Sequence, residues 1–291
     1  MKFPSHHFSN SFFCSFSQIM LQGNAVTGFL FCIGIGLNSP QMLLGGIIAT
    51  LAALATATMN RYDSASIQNG VYSYNATLVG IAVLFFFPAS LFSLTLAIFA
   101  GAFATVITHF MLIRIPDISV LTAPFIISTW LILLVFDNSQ LANSGADVAA
   151  NVTGNFYSLM RGISQVMFQD YWLSGGIFIF GLLFHSFKAT AWAVIGSALG
   201  MLTARVLGFS EELLLMGMYG FNACLVAITL AERYNKQYSP IILGIVLSVL
   251  LSRMFEQITL PALTAPFVLS SWVILGFSRR DTNVQTCNKS A

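Results

Sequence analysis

The chain holds 291 residues, 57% of them hydrophobic and only 8% charged, with a formal net charge of +2. A soluble domain carries roughly 25% charged residues, so a surface facing water throughout is excluded, and with it a soluble enzyme and a disordered chain. The near-neutral balance offers no basic field for nucleic acid, and lipid is the solvent that fits.

Apolar runs follow one another closely, at about 25–37, 40–58, 76–93, 94–113 and 118–136, then at about 172–187, 188–206, 212–231, 239–252 and 258–277. They are continuous rather than alternating, which points to helices and away from a β-barrel. Ten spanning helices are expected, giving an all-α integral membrane protein. Gly28, Gly34, Gly36, Gly45 and Gly46 suit the close packing of helices in lipid. Cys14, Cys32, Cys224 and Cys287 form no CxxC pair, and His6, His7, His109 and His185 have no ligand spacing. Free thiols are therefore expected, with no metal and no cofactor. The first residues carry no cleavable signal pattern.

The two sets of five runs form a repeat. Ser17-Gln18-Ile19-Met20-Leu21-Gln22 matches Ser164-Gln165-Val166-Met167-Phe168-Gln169, 147 positions on. Gly70-Val71-Tyr72-Ser73-Tyr74-Asn75 matches Gly217-Met218-Tyr219-Gly220-Phe221-Asn222 at the same offset. Leu121-Thr122-Ala123-Pro124-Phe125 matches Leu263-Thr264-Ala265-Pro266-Phe267 at an offset of 142, and Trp130 matches Trp272. The chain divides into a first repeat (1–136), a polar linker (137–159), a second repeat (160–277) and a tail (278–291). An odd number of spans per repeat sets the halves in opposite orientations, with a site expected where they meet. Arg279 and Arg280 make the tail basic, and the linker from Asp137 to Met160 has no Lys or Arg. Both termini are thus expected on the cytoplasmic side and the linker outside.

Each Thr-Ala-Pro-Phe segment holds a proline that breaks a helix. Such a break is tolerated in lipid where the backbone is buried or lines an aqueous path. One copy reads as a kinked helix with a packed threonine; two matched copies bring Thr122 and Thr264 together near the midplane. Asn75 and Asn222 read either as loop anchors or as neighbours of an aromatic slot. Gln18 and Gln165 read either as polarity before a span or as recognition of a neutral polar solute. Arg114, Asp117, Lys188, Arg205, Glu211, Glu212, Arg253 and Glu256 fall near run ends, where long side chains snorkel or pair. No charge stands at mid-membrane in both repeats, which argues against ion or proton coupling. Asn151-Val152-Thr153 has the form of a glycosylation sequon.

At these residues the chain resembles the urea transporter (urea channel) family. Leu260-Pro261-Ala262-Leu263-Thr264-Ala265-Pro266-Phe267 reads as the family's LPxxTxPF signature, while the first copy has Ile118-Ser119 in place of Leu-Pro. Gly70 to Gly80 is similar to the GLxGYNxxLVG block, and Ser164 to Phe168 to the pore-entrance segment. The resemblance covers about 13–277 and implies a compact bacterial member in the inner membrane. It implies two inverted five-helix repeats, each with a re-entrant pore half-helix, and a homotrimer in lipid with one pore per protomer. Urea would pass without energy input, and no enzyme activity is expected. Carried over by motif, Gln18 and Gln165 sit at the two mouths with Ile19 and Val166 beside them. Leu21, Phe168, Tyr74 and Phe221 form the slot walls, Leu78 and Leu225 narrow the centre, and Thr122 faces Thr264. Two departures stand out: glutamine at both mouths, where some members have Glu, and Leu21 in place of an aromatic wall. The rival readings are an ion- or proton-coupled carrier and a pore for another small neutral solute, such as ammonia or a short amide.

Overall fold

The computed structural model describes residues 5–136, 154–234, 237–258 and 260–288, and among these all regular structure is helical. The sequon at Asn151 and linker residues 137–153 lie outside the described residues. The first half runs α1 (Ser5–Ser17), α2 (Ala25–Asn38), α3 (Pro40–Met59), α4 (Ser64–Gln68), α5 (Tyr74–Phe86), α6 (Leu91–Arg114) and α7 (Ala123–Val135). The second half repeats the order as α8 (Asn155–Ser164), α9 (Trp172–Leu183), α10 (Phe187–Val206), α11 (Glu211–Leu215), α12 (Phe221–Arg233), α13 (Tyr238–Phe255) and α14 (Ala265–Asn288).

Helix starts are written locally and repeat with the sequence. Ser39 accepts from the Met42 amide at 3.3 Å with Pro40 opening α3, and Ser186 accepts from the Ala189 amide at 3.1 Å to open α10. Asp63 caps α4 and Ser210 caps α11 in the same way. Each hydroxyl or carboxylate satisfies an amide that the first turn leaves unpaired.

The burial pattern is that of a protein in lipid. Along α6 the large residues Phe99, Phe103, Val106, Phe110 and Ile113 are exposed, while Ala97, Gly101, Ala104, Thr105 and Thr108 are buried. The small face packs on α3 and the large face is left outward. α10 repeats this, with Ile195 and Leu202 exposed and Ala193, Gly196 and Gly200 buried. Small residues let backbones approach, which is how helices associate when water does not drive them together.

The ten expected spans are not ten uniform rods. Among the described residues four helices, α3, α6, α10 and α13, are long and apolar enough to cross alone. α1 with α2, and α8 with α9, form pairs bent by 73°, each a broken span or a re-entrant loop. α5 and α7 have 13 residues each, about 20 Å of helix against the roughly 30 Å of a bilayer core. The hydropathy runs at 76–93 and 118–136 overstate them, because apolarity continues across breaks at Phe87 and before Thr122 where the helix does not.

The duplication is visible in the backbone itself. Residues with positive φ pair at the sequence offsets: Leu21 (62°) with Phe168 (61°), Arg61 (54°) with Gly208 (70°), Gly70 (74°) with Gly217 (81°), and Leu121 (46°) with Leu263 (48°). Contacts between halves are reciprocal. Thr27 donates to the Gly181 carbonyl at 2.8 Å, and Ser174 donates to the Gly34 carbonyl at 2.7 Å. Trp130 Nε1 donates to the Pro261 carbonyl at 2.9 Å, and Trp272 Nε1 to the Ser119 carbonyl at 2.8 Å. Phe31 meets its own counterpart, Phe178, with ring centroids 4.8 Å apart. A residue that meets its own counterpart lies on the axis of a local twofold relation.

Candidate functional site

Two chain breaks shape each half. After α1 a 3-10 turn over Gln18–Met20 ends at Leu21 in the left-handed region, and after α8 Gln165–Met167 ends at Phe168 in the same way. A non-glycine residue there costs on the order of 1–2 kcal/mol. The amides of Leu21 and Phe168 turn back onto the Gln18 and Gln165 carbonyls at 2.9 and 3.1 Å. The second break precedes α7 and α14, where Leu121 and Leu263 are again left-handed.

The asparagines hold this second break. Asn75 Nδ2 donates to the Leu121 carbonyl at 3.2 Å, while its Oδ1 accepts from the Phe125 amide at 3.2 Å. Asn222 does the same with Leu263, at 3.3 Å, and with the Phe267 amide, at 3.2 Å. Both are buried, so each is the anchor that the loop reading described. Asn222→Leu would leave a buried amide and a buried carbonyl unpaired, each worth about 1–3 kcal/mol. The variant should therefore melt well below wild type in detergent, and an unchanged melting temperature would contradict the anchoring role.

With the breaks so held, Thr122 and Thr264 meet with their hydroxyls 2.7 Å apart, both buried. Thr264 forms part of the lining of a cavity of about 730 Å³ between the halves. Gln165, Val166, Phe168 and Phe221 line the same vestibule, together with Phe85, Phe86 and Leu133 from the first half. Leu133, Phe85 and Phe86 lie at the C-terminal ends of α7 and α5. These two helices thus run from the Thr122 region out to this cavity.

The first-half residues expected at the site from the sequence, Gln18, Ile19, Leu21, Tyr74, Leu78 and Thr122, are not in the lining of this cavity. Ile19 and Leu78 are fully buried, as is Leu225 of the second half. Tyr74 is buried and its hydroxyl donates to the Leu121 carbonyl. Leu21 is half-buried. Gln18 is half-buried, and its Oε1 is a buried acceptor with no partner. Gln165 instead donates from Nε2 to the Met216 carbonyl at 3.3 Å.

Sequence reasoning left charge out of the site, and the structure brings it in. Arg161, Asp170 and Glu256 all line the vestibule. Glu256 pairs with Arg253 in an ion pair, and the Arg253 guanidinium lies 5.7 Å from the Phe209 ring centroid. Lys188 pairs with Glu232 at 3.8 Å and Arg205 with Glu211 at 2.9 Å, both at exposed helix ends. Glu256 stands near the end of an apolar run; its counterpart 147 positions earlier is His109, stacked on Tyr62 with ring centroids 3.6 Å apart. Arg161 lies on α8, outside the apolar runs of the sequence.

A helical body with helices long and apolar enough to cross a membrane, and a largely apolar opening between two matched halves, defines an integral membrane protein. The profile of the urea transporter family matches residues 10–279, and the chain belongs to that family. Over 300 residues it is 27% identical to Urea transporter 1 of Ovis aries and of Capra hircus, and 26% identical to that of Mus musculus. Each comparison covers 92% of this chain and 76% of the relative.

Proposed function

We propose that this protein is a passive, channel-like urea pathway. Gln18 and Gln165 stand at its mouths, beside Ile19 and Val166. Leu21, Tyr74, Phe168 and Phe221 form its walls, and Leu78, Leu225 and the threonine pair its centre. The observation that carries the reading is the Thr122–Thr264 hydroxyl contact, with Thr264 in the vestibule wall beside Leu263, Asn222 and Phe221. Urea is flat, neutral and rich in N–H donors. Rings and aliphatic groups fit its faces, while the Gln165 and Gln18 oxygens and the threonine hydroxyls accept from its edges. Gln18 Oε1, buried and without a partner, is an acceptor that a passing N–H would satisfy.

Exchange of a water hydrogen bond for a protein one gains only about 1 kcal/mol, which leaves the solute free to move on. Conduction needs that weakness. An ion at the Leu78–Leu225 level would lose its water with no counter-charge in reach, a prohibitive cost. The two halves are an inverted repeat, their twofold axis lying in the membrane plane between the threonines. Three protomers assemble in a bacterial inner membrane, each with its own pore and with both termini cytoplasmic.

Stopped-flow urea uptake into proteoliposomes tests this reading. The rate should be the same with and without an imposed membrane potential or pH step. A rate that follows either gradient would identify a coupled carrier. Absent urea flux with passage of ammonia or a short amide would identify a different neutral pore.

A further inference from the structure

Arg161 is a charged side chain only 5% exposed, in the last turn of α8. Burying a guanidinium in such surroundings is costly unless its donors are used. Here Nε donates to the Asp170 carbonyl at 3.1 Å and Nη1 to the Leu215 carbonyl at 3.1 Å. These two acceptors belong to the segments that carry the mouth. Phe168 sits in the break between Gln165 and Asp170, and Phe221 follows the turn that begins at Leu215. The next carbonyl along, that of Met216, takes the amide of Gln165. α8 itself is already in backbone contact with the turn before Phe221, since a Cβ on Gly217 would fall 2.4 Å from the Gly162 amide nitrogen.

The first half lacks the clamp. Cys14 occupies the position equivalent to Arg161, although Gly70 presses on the Cys14 backbone as Gly217 presses on Arg161 and Gly162. The Gln18 oxygen there is buried and unpartnered, whereas Gln165 is held through its amide by the Met216 carbonyl. The shared backbone contact therefore needs no arginine, and the guanidinium does something further in the second half.

We infer that Arg161 is a positioning residue for transport. It ties the Phe168 segment to the Phe221 segment, fixes the slot between their rings, and presets the Gln165 oxygen for the solute. This rests on the urea-conducting reading above. The two mouths then differ: the Arg161 mouth is preorganised, and the Gln18 mouth is completed by the solute.

The test measures urea and N-methylurea flux over a concentration series in proteoliposomes holding wild type, Arg161→Lys, Arg161→Met, Gln165→Ala or the double variant Arg161→Met/Gln165→Ala. Arg161→Met should raise the urea concentration for half-maximal flux by about tenfold and lower the preference for urea over the wider analogue by about threefold. Arg161→Lys, which keeps the charge with fewer donors, should recover part of both. The effects of Arg161→Met and Gln165→Ala should fall short of adding, since both act on one segment. If half-saturation and the urea preference stay at wild-type values while both fluxes merely scale with the folded protein recovered, the arginine is structural and the inference fails. Should Arg161→Met not fold, Arg161→Lys decides alone by the same two readouts. Wild-type liposomes that pass no urea would overturn the transport reading itself, and the positioning role with it.

Discussion

Gly28→Ala should cost this protein its fold. A Cβ on Gly28 would lie 1.8 Å from the Phe13 carbonyl oxygen and 2.6 Å from its carbonyl carbon. Those are backbone atoms of α1, which packs on α2 through this crossing, so no side chain can swing aside. Gly175 repeats the geometry against the Met160 carbonyl oxygen, at 2.1 Å, where α8 packs on α9. Relief requires the bent pair to open, and the bend sets the 3-10 turns that carry Gln18 and Gln165. The expected loss is about 3 kcal/mol or more for either substitution, the upper end for overpacking. Size-exclusion chromatography in mild detergent and thermal melting should show aggregated or strongly destabilised protein. Gly176→Ala is the internal control. The added methyl meets nothing within 4 Å, and replacing a mid-helix glycine gains roughly 0.5–1 kcal/mol. Adjacent glycines should thus move stability in opposite directions, and equal effects at both would refute the crossing argument.

The glycines show how far the sequence carries. Gly28 reads from sequence as a small packing residue, and so it packs. The repeat was legible because identical side chains recur at fixed offsets, and matching side chains impose matching backbones. What the offsets could not supply is conformation at residues with no glycine signal. Leu21, Phe168, Leu121 and Leu263 adopt positive φ that nothing in their identity announces; tertiary contacts impose it. Hydropathy placed α5 and α7 but lengthened them, since a window sums apolarity through a break. The site was read through its uncharged residues because paired hydroxyls and amides recur in both copies. Arg161 occurs in one copy only, with Cys14 opposite, so a comparison of repeats passes over it. Its burial depends on α8 folding back against the Leu215 turn, which is a tertiary fact. Hydrogen bonds spanning some fifty positions make Asn75 and Asn222 loop anchors, and Asn222 with Phe221 also lines the cavity, so at that position both readings hold.

The threonine pair should separate stability from transport. Each hydroxyl is the hydrogen-bond partner of the other, so Thr122→Val alone strands a buried Thr264 hydroxyl, at about 1–3 kcal/mol. Replacing both with valine removes the two partners together and keeps the shape, which is near neutral for stability. The single variant should therefore melt below the double variant, a non-additive result expected of residues in contact. Flux should follow the other order. With one hydroxyl left, the centre still offers a solute an acceptor. On the proposed reading, with none a urea N–H that crosses between Leu78 and Leu225 loses its replacement for water. One lost hydrogen bond of about 1.4 kcal/mol at the highest point of the path slows passage about tenfold. Urea flux should thus fall moderately in Thr122→Val or Thr264→Val and about tenfold in the double variant. The double variant should keep a wild-type melting temperature, so that its lost flux is not lost protein. Wild-type urea flux in that folded double variant would remove the threonines from the pathway, and the central barrier would then belong to the leucines alone.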